Sequence, residues 1–215
     1  MTERRGGTRN DIVERLARAK LGREEDDARK AILKAFAEEG RAPRVQEVAR
    51  ALGLPLEPVL EVCRTLARHD LIVWKDGEGQ ILSAYPFSGL PTAHRVLMEG
   101  HKTLYAMCAI DALGIPFMLG QGGSIRSACF FCQMPVRVDI HEGLLQGVQP
   151  STTVVWSSER DGCCVAEVRC PLINFFCDEE HLHKWLATSP DEQGSTLSLM
   201  EAIDVGKAAF GQLLT

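Results

Sequence analysis

The fold of the first part of this chain is decided by residues 45–69, VQEVARALGLPLEPVLEVCRTLARH. Apolar residues recur there at helical spacing on both sides of Gly53-Leu54-Pro55, where glycine and proline predict a turn. The pattern predicts two short helices, Val45 to Leu52 and Pro58 to His69, in a helix-turn-helix arrangement. On the second helix, Cys63 is expected to be a buried packing residue.

The flanking segments complete a winged-helix pattern. One amphipathic run opens at Asn10 and Asp11, and a second runs from Asp26 to Glu39 with apolar residues at helical spacing. Leu71 to Trp74 and Gln80 to Tyr85 are predicted as the strands of a β-hairpin, because Asp76-Gly77-Glu78-Gly79 supplies a turn between them. Helices followed by a hairpin predict a winged-helix-like helical domain.

The composition of the chain changes after a predicted linker at Pro86 to Pro91. Seven of the eight cysteines lie beyond residue 100, so the chemistry is expected in that part of the chain. We therefore expect two domains, a winged-helix-like domain over residues 1–88 and a catalytic domain over residues 89–215.

The second region combines short β-branched or alternating runs with helical patterns, which predicts an α+β fold with a small, mostly antiparallel sheet. The predicted strands are Ser124 to Ala128, Pro135 to Ile140, Thr152 to Ser157 and Cys164 to Arg169. The predicted helices are Thr103 to Ala112, Glu179 to Ala187 and Met200 to Leu214.

Composition and charge narrow the classes of function. The 215 residues are 45% hydrophobic and carry a formal net charge of -5, which argues against nucleic acid as a partner, since such binding depends on Lys and Arg. Met1 to Lys20 lacks the apolar segment of an export signal, and the apolar stretch Leu104 to Leu119 is too short to span a bilayer. We expect a cytoplasmic protein with no membrane partner, in which the cysteines stay reduced.

Cys108 and Asp111 are a candidate functional pair, because they are three residues apart on a predicted helix and would share one face. The surrounding run, Ala109 to Met118, is apolar, and burial there would raise the pKa of the carboxyl group. Spacing alone leaves another interpretation open, in which Cys108 is a small core residue and Asp111 is a capping or solvated residue.

The segment LYAMCAIDALGIP at residues 104–116 resembles the active-site helix of the alkylmercury lyases. Three further matches follow in the order that this family has, so the resemblance covers about residues 100–215. They are Cys129 six residues before Pro135-Val136, Cys170 five residues before Phe175-Phe176, and Glu201-Ala202 followed by Gly206. The family also carries a winged-helix-like region upstream.

The resemblance implies an organomercurial lyase with Cys108, Asp111 and Cys170 as its catalytic residues and as the ligands of Hg(II). Mercury(II) is a soft cation that prefers thiolates, so two cysteines can hold R–Hg⁺ and then the product ion. The carboxyl group would take a thiol proton and pass it to the departing carbon. No cofactor is required, and small thiols or a mercuric reductase are expected to accept Hg(II) in a detoxification pathway.

Some positions depart from the family pattern or lie outside it. Met107 stands where a tryptophan is expected, which bears on substrate preference, and Pro171 stands where some members have a second cysteine. Cys129 matches a cysteine of the family that is not catalytic. Adjacent cysteines on a strand point to opposite faces, so Cys163-Cys164 is interpreted as core or accessory thiols.

One alternative is a structural zinc site, because Cys129-Phe130-Phe131-Cys132 is a C-x-x-C motif. Cys177, His181 and His183 are the further candidate ligands. A single C-x-x-C is a weak signal, and the setting of the two histidines is typical of a solvated helical face, so the sequence favours the lyase interpretation.

Another alternative is a winged-helix transcriptional regulator that responds to a metal or thiol. The predicted recognition helix, Pro58 to His69, offers only Arg64 and Arg68 beside Glu61, which is a poor surface for phosphates. The sequence therefore favours a winged helix that serves as a structural cap over a catalytic domain.

Overall fold

A computed structural model describes residues 11–75, 79–160 and 165–214. Its first part contains helices α1 to α4, at Asp11–Ala19, Arg23–Glu39, Val45–Leu52 and Leu56–Arg68. Strands β1 (Ile72–Lys75), β2 (Gln80–Ala84) and β3 (Phe87–Ser88) then form an antiparallel sheet in that order. This confirms the winged-helix-like arrangement, although the predicted turn residues 76–78 lie outside the described part of the chain.

Several details of this first part differ from prediction. Helix α4 begins at Leu56 instead of Pro58 and ends at Arg68 instead of His69. Helix α2 begins at Arg23 instead of Asp26, because the acidic residues Glu24 and Glu25 favour the positive end of the helix dipole. The predicted linker at Pro86 to Pro91 was wrong for its first residues, because β3 pairs with β2 and Phe87 is buried against Phe36 with ring centroids 5.5 Å apart.

The second part contains two antiparallel sheets. Five strands form the larger sheet in the order β5-β4-β6-β7-β8, and three form the smaller one in the order β10-β9-β11. These strands are β4 (Arg95–Met98), β5 (Leu104–Tyr105), β6 (Gly123–Ala128), β7 (Pro135–His141), β8 (Leu144–Gln149), β9 (Val154–Ser158), β10 (Asn174–Phe176) and β11 (Gly194–Ser198). The α+β class with small antiparallel sheets is confirmed.

Four helices accompany these sheets within the described ranges, α5 (Ala109–Leu119), α6 (Val165–Val168), α7 (Glu179–Thr188) and α8 (Leu199–Phe210). The predicted strand Cys164 to Arg169 was wrong, since residues 165–168 are helical and lead into a short 3-10 helix, Cys170–Leu172. The predicted helix Thr103 to Ala112 was wrong at its start, where Leu104 pairs with Val96 as a strand. The domain boundary between residues 88 and 89 stays a prediction.

Helices α5 and α8 cross at two glycines. A Cβ atom on Gly206 would lie 2.9 Å from the carbonyl oxygen of Ile110 and 3.0 Å from the backbone nitrogen of Gly114. Only a residue without a side chain permits so close an approach. The crossing fixes the first turn of α5 against the face of α8, and this is where the candidate site lies.

None of the helices in residues 11–75, 79–160 and 165–214 combines the length and the apolar character that a membrane crossing requires.

Candidate functional site

Cys108 is the N-cap of helix α5. Its backbone is extended, and the backbone N–H of Asp111 donates to its Sγ over 3.3 Å. The prediction that the two residues share a helix face was therefore wrong in detail, because Cys108 precedes the helix. Asp111 is the third residue of α5, and the first turn of the helix brings it back toward the N-cap. The outcome is nevertheless the same pairing, a thiol beside a carboxyl, now at the positive end of a helix dipole.

Cys170 reaches the same place from the short 3-10 helix. The backbone N–H of Ala109 donates to the carbonyl of Ile173 over 3.0 Å, which ties this turn to the start of α5. The Sγ of Cys170 lies 3.9 Å from Oδ2 of Asp111. One ligand atom from each of Cys108, Asp111 and Cys170 lies within 4.8 Å of the others, and all three residues are buried. The structure thus brings together the three residues that the sequence singled out.

Burial is the largest influence on the pKa values of Asp111 and Cys108, whereas hydrogen bonding with Cys108 is the largest influence on that of Cys170. Burial raises the pKa of Asp111 to about 7, although hydrogen bonding with Cys108 and the charge of Arg15 oppose the rise. Burial also raises the pKa of Cys108 well above the usual thiol value. Hydrogen bonding with Cys108 lowers the pKa of Cys170, but burial and the charge of Asp111 outweigh it and leave that pKa raised. At neutral pH the carboxyl group is the one poised to exchange a proton.

The three groups open into a small cavity of about 60 Å³ with mostly apolar walls. Arg15 of α1 and Tyr85 also line it; the guanidinium group of Arg15 lies 4.2 Å above the Tyr85 ring and pairs with Asp70 over 2.7 Å. Apolar wall residues come from α1, α5, the turn after Cys170 and α8, namely Ile12, Ile110, Ile173, Val205, Ala209 and Phe210. Sequence reasoning missed Arg15 and Tyr85, because neither belongs to a motif.

Met107 does not line this cavity. It is half-buried and lines a neighbouring surface cavity together with Pro171, His94 and Asn174. An effect of Met107 on substrate preference would therefore have to pass through packing around Cys108.

The other cysteines separate into three groups. Cys63 is fully buried in α4, which confirms its predicted packing role. Cys163 and Cys164 lie outside the described residues. Cys129, Cys132 and Cys177 converge with His181, with one ligand atom from each within 4.8 Å of the others. The prediction of a solvated helical face was wrong for His181, whereas His183 is exposed.

Paired thiolates select soft metals, whereas hard cations prefer the oxygen ligands of carboxylate clusters. The fold and the buried site together therefore define an α+β protein with a winged-helix-like N-terminal part. Its buried site is suited to bind a thiophilic metal. The carboxyl group beside the thiols, whose pKa burial raises to about 7, is suited to acid–base chemistry at a bound metal.

Comparison with known proteins gives the family. The alkylmercury lyase family model matches residues 87–211, more than half of the chain, and this chain belongs to that family. The resemblance noted in the sequence and the enzyme class, a carbon–mercury lyase, are confirmed. Residues 31–76 match the IclR helix-turn-helix domain, in agreement with the winged-helix-like start.

Relatives and a solved structure extend the match over most of the chain. An alkylmercury lyase of Staphylococcus epidermidis is 32% identical over 179 residues, covering 82% of this chain and 78% of the relative. One from Streptomyces lividans is 28% identical over 181 residues, covering 82% and 79%. The mercury-bound form of MerB2 aligns with a TM-score of 0.80 at 27% identity, covering 95% of this chain and 97% of that one.

Proposed function

We propose that Cys108 and Cys170 hold the mercury of an organomercurial while Asp111 carries the proton that cleaves the carbon–mercury bond. The observation that supports this assignment is the convergence of two thiols and one carboxyl within 4.8 Å in a buried site. Mercury(II) binds thiolates in preference to nitrogen or oxygen ligands, and the carbon that leaves it needs a proton.

The proton balance of the reaction follows from these groups. One thiol displaces the outgoing ligand X from R–Hg–X, forms a sulfur–mercury bond and releases HX. The second thiol gives its proton to the carboxylate of Asp111 and binds the same mercury atom as a thiolate. The carboxyl group then protonates the carbon, so that the carbon–mercury bond breaks to give R–H and regenerates the carboxylate. Mercury stays behind as a neutral dithiolate.

The raised pKa of Asp111 suits both halves of this cycle. At about 7 the carboxyl group accepts a proton and gives it up near neutral pH, the range in which general acid–base groups work best. The largely apolar cavity accommodates the organic group and keeps water away from the developing negative charge on carbon.

Release of the product needs a partner, because a thiolate pair holds Hg(II) tightly. External small thiols, or the thiols of a mercuric reductase, would exchange with Cys108 and Cys170 through the cavity opening, and no other cofactor takes part. This route requires reduced thiols, so we propose that the reaction takes place in the cytoplasm.

A regulatory role for the winged-helix-like part receives little support from its surface. Arg64 and Arg68 on the predicted recognition helix both form ion pairs with Glu61, at 3.2 Å and 3.3 Å. Guanidinium groups that are already paired with a carboxylate gain less from phosphates. The cap interpretation is therefore the one we propose.

The decisive experiment measures methane or benzene released from methylmercury or phenylmercury in the presence of excess small thiol. Wild-type protein should release hydrocarbon in many turnovers, and Cys108→Ser and Cys170→Ser should release none while keeping the wild-type circular dichroism spectrum. Near wild-type release by folded Cys170→Ser would show that another thiol is the second ligand.

A further inference from the structure

A second cluster of metal-binding side chains lies apart from the lyase site. Cys129 and Cys132 come from the connection between β6 and β7, while Cys177 and His181 come from the start of α7. The two sulfurs of Cys132 and Cys177 lie 3.8 Å apart, and Nδ1 of His181 lies 2.7 Å from the sulfur of Cys177. Residues distant in sequence thus place three sulfurs and one imidazole nitrogen around a single point.

These separations are close to those of a tetrahedral metal centre. Zinc–sulfur bonds of about 2.3 Å place two tetrahedral sulfurs roughly 3.8 Å apart, which equals the separation of Cys132 and Cys177. With a zinc–nitrogen bond of about 2.0 Å, the nitrogen should lie roughly 3.5 Å from each sulfur. The ring of His181 would therefore have to move by less than about 1 Å to accept the ion.

Backbone hydrogen bonds fix the two segments that carry the cluster. The backbone N–H of Cys129 donates to the carbonyl of Met134 over 2.8 Å, and that of Gln133 donates to the carbonyl of Cys129 over 2.9 Å. The carboxyl of Asp178 caps α7 by accepting the backbone N–H of His181 over 2.8 Å, which fixes the turn that carries two of the ligands. Cys177 stands directly before that cap, where the positive end of the helix dipole favours negative charge.

The cluster also has its own apolar setting. Cys129 and Cys177 are buried in a small core that is separate from the main one and includes Trp156, Phe176 and Leu182. Phe130, inside the C-x-x-C motif, makes T-shaped contacts with Phe176 and Trp185 at centroid distances of 6.1 Å and 5.7 Å. Cys132 is exposed, so an ion can enter from solvent. A core this small gains much of its stability from a cross-link.

We propose that Cys129, Cys132, Cys177 and His181 bind one structural Zn²⁺ ion, which joins the β6–β7 connection to the start of α7. Three thiolates and one imidazole complete a tetrahedral shell and leave no position for water or substrate, which is the pattern of a structural site. Three sulfur ligands and a nitrogen also exclude the hard cations that require oxygen.

The site braces the segment that carries the second lyase cysteine. Cys177 directly follows β10, which begins four residues after Cys170, and the backbone N–H of Phe130 donates to the carbonyl of Phe175 on that strand over 2.9 Å. The zinc ion therefore stabilises the strand behind the reacting thiol without contacting the substrate. Its loss is expected to lower thermal stability.

The test uses the full chain without a histidine tag, purified from zinc-supplemented cells and analysed by elemental mass spectrometry. Wild-type protein and the control His183→Gln, changed on the same helix outside the cluster, should each contain about one zinc ion per chain. Cys132→Ser and His181→Gln should lose most of it and unfold several degrees lower. With Co²⁺ in place of zinc, the wild type should show the visible absorption of tetrahedral thiolate cobalt, and Cys132→Ser should not.

A double variant, Cys108→Ser with Cys170→Ser, separates this proposal from the lyase mechanism. It should retain zinc in full although it releases no hydrocarbon. Loss of zinc from that variant, or its retention by Cys132→Ser, would place the ion elsewhere and overturn the proposal. Iron in place of zinc, or wild-type protein that takes up no zinc when reconstituted with it, would overturn it as well.

Discussion

Replacement of Asp111 by asparagine tests the central claim of the mechanism, that one buried carboxyl group carries the proton. Asparagine keeps the size and a hydrogen-bonding end but has no exchangeable carboxyl proton. The two thiols should still capture organomercurial, seen by mass spectrometry as an adduct that retains the organic group. Protonation of the carbon should be at least about a hundredfold slower, the usual loss when a general acid is removed.

The same substitution has a second effect that can be calculated from the structure. Burial raises the pKa of Asp111 from 3.8 to about 7, so the folded protein binds a proton more tightly than the unfolded chain does. Stability from this group is fully present below pH 3.8 and is lost as the pH rises through 7. At about 1.4 kcal/mol per pH unit, the two pKa values correspond to a loss of about 4 kcal/mol.

The assay compares urea unfolding of the wild type and Asp111→Asn at pH 5 and pH 8. The wild type should lose about 3 kcal/mol more than the variant over this interval, because most of the proton release falls within it. The cost of burying the asparagine amide does not depend on pH, so it cancels when the change in unfolding free energy from pH 5 to pH 8 is compared. Asp204→Asn, an exposed change on α8, should follow the wild type. Equal pH dependence in Asp111→Asn and wild type would show that the carboxyl is not desolvated, and undiminished single-turnover release would remove Asp111 from the mechanism.

Three further outcomes follow from the structure. In thiol-free buffer, hydrocarbon release should stop after about one turnover per chain, with one Hg²⁺ ion held by Cys108 and Cys170; sustained turnover would contradict tight dithiolate binding. Gly206→Ala should lower the free energy of unfolding by a few kcal/mol, because the new methyl group meets the α5 backbone at 2.9 Å, and an unchanged urea midpoint would count against that close crossing. In a gel-shift assay at low salt, the protein should show no strong duplex binding, whereas a salt-sensitive complex would favour the regulator alternative.

Local patterns carried most of the winged-helix-like prediction. The turn at residues 53–55 and the spacing of apolar residues depend only on residues that are close in sequence. Helix α3 accordingly has the predicted bounds, Val45–Leu52. Strands β8 and β11 were not predicted, because their residues are mostly polar or half-exposed. Strand β8 depends on pairing with its neighbour β7, and β11 depends on pairing with the more distant β9. Tertiary pairing decides such segments more than intrinsic preference does.

The site was predicted only in part for a similar reason. Cys108 and Asp111 are close in sequence, but only the resemblance to a family connected them to Cys170, which lies 59 residues beyond Asp111. Spacing suggested a shared helix face, whereas the actual geometry is a cap, because the strand pairing of Leu104 delays the start of α5. His181 was misjudged because its polar neighbours indicate solvent, although its ring turns toward Cys177.

Helix α1 contributes to the site although the family model does not include it. The segment matched by that model begins at residue 87, yet Ile12, Arg15 and Tyr85 form part of the wall around the two sulfurs. The segment that the family model outlines is thus smaller than the part of the chain that builds the site. A fragment that begins at residue 87 would leave the thiols open to water on one side. A chimera joined there would combine the reacting groups of one relative with part of the cavity wall of another. We expect both parts together to set the range of substrate sizes that this chain accepts.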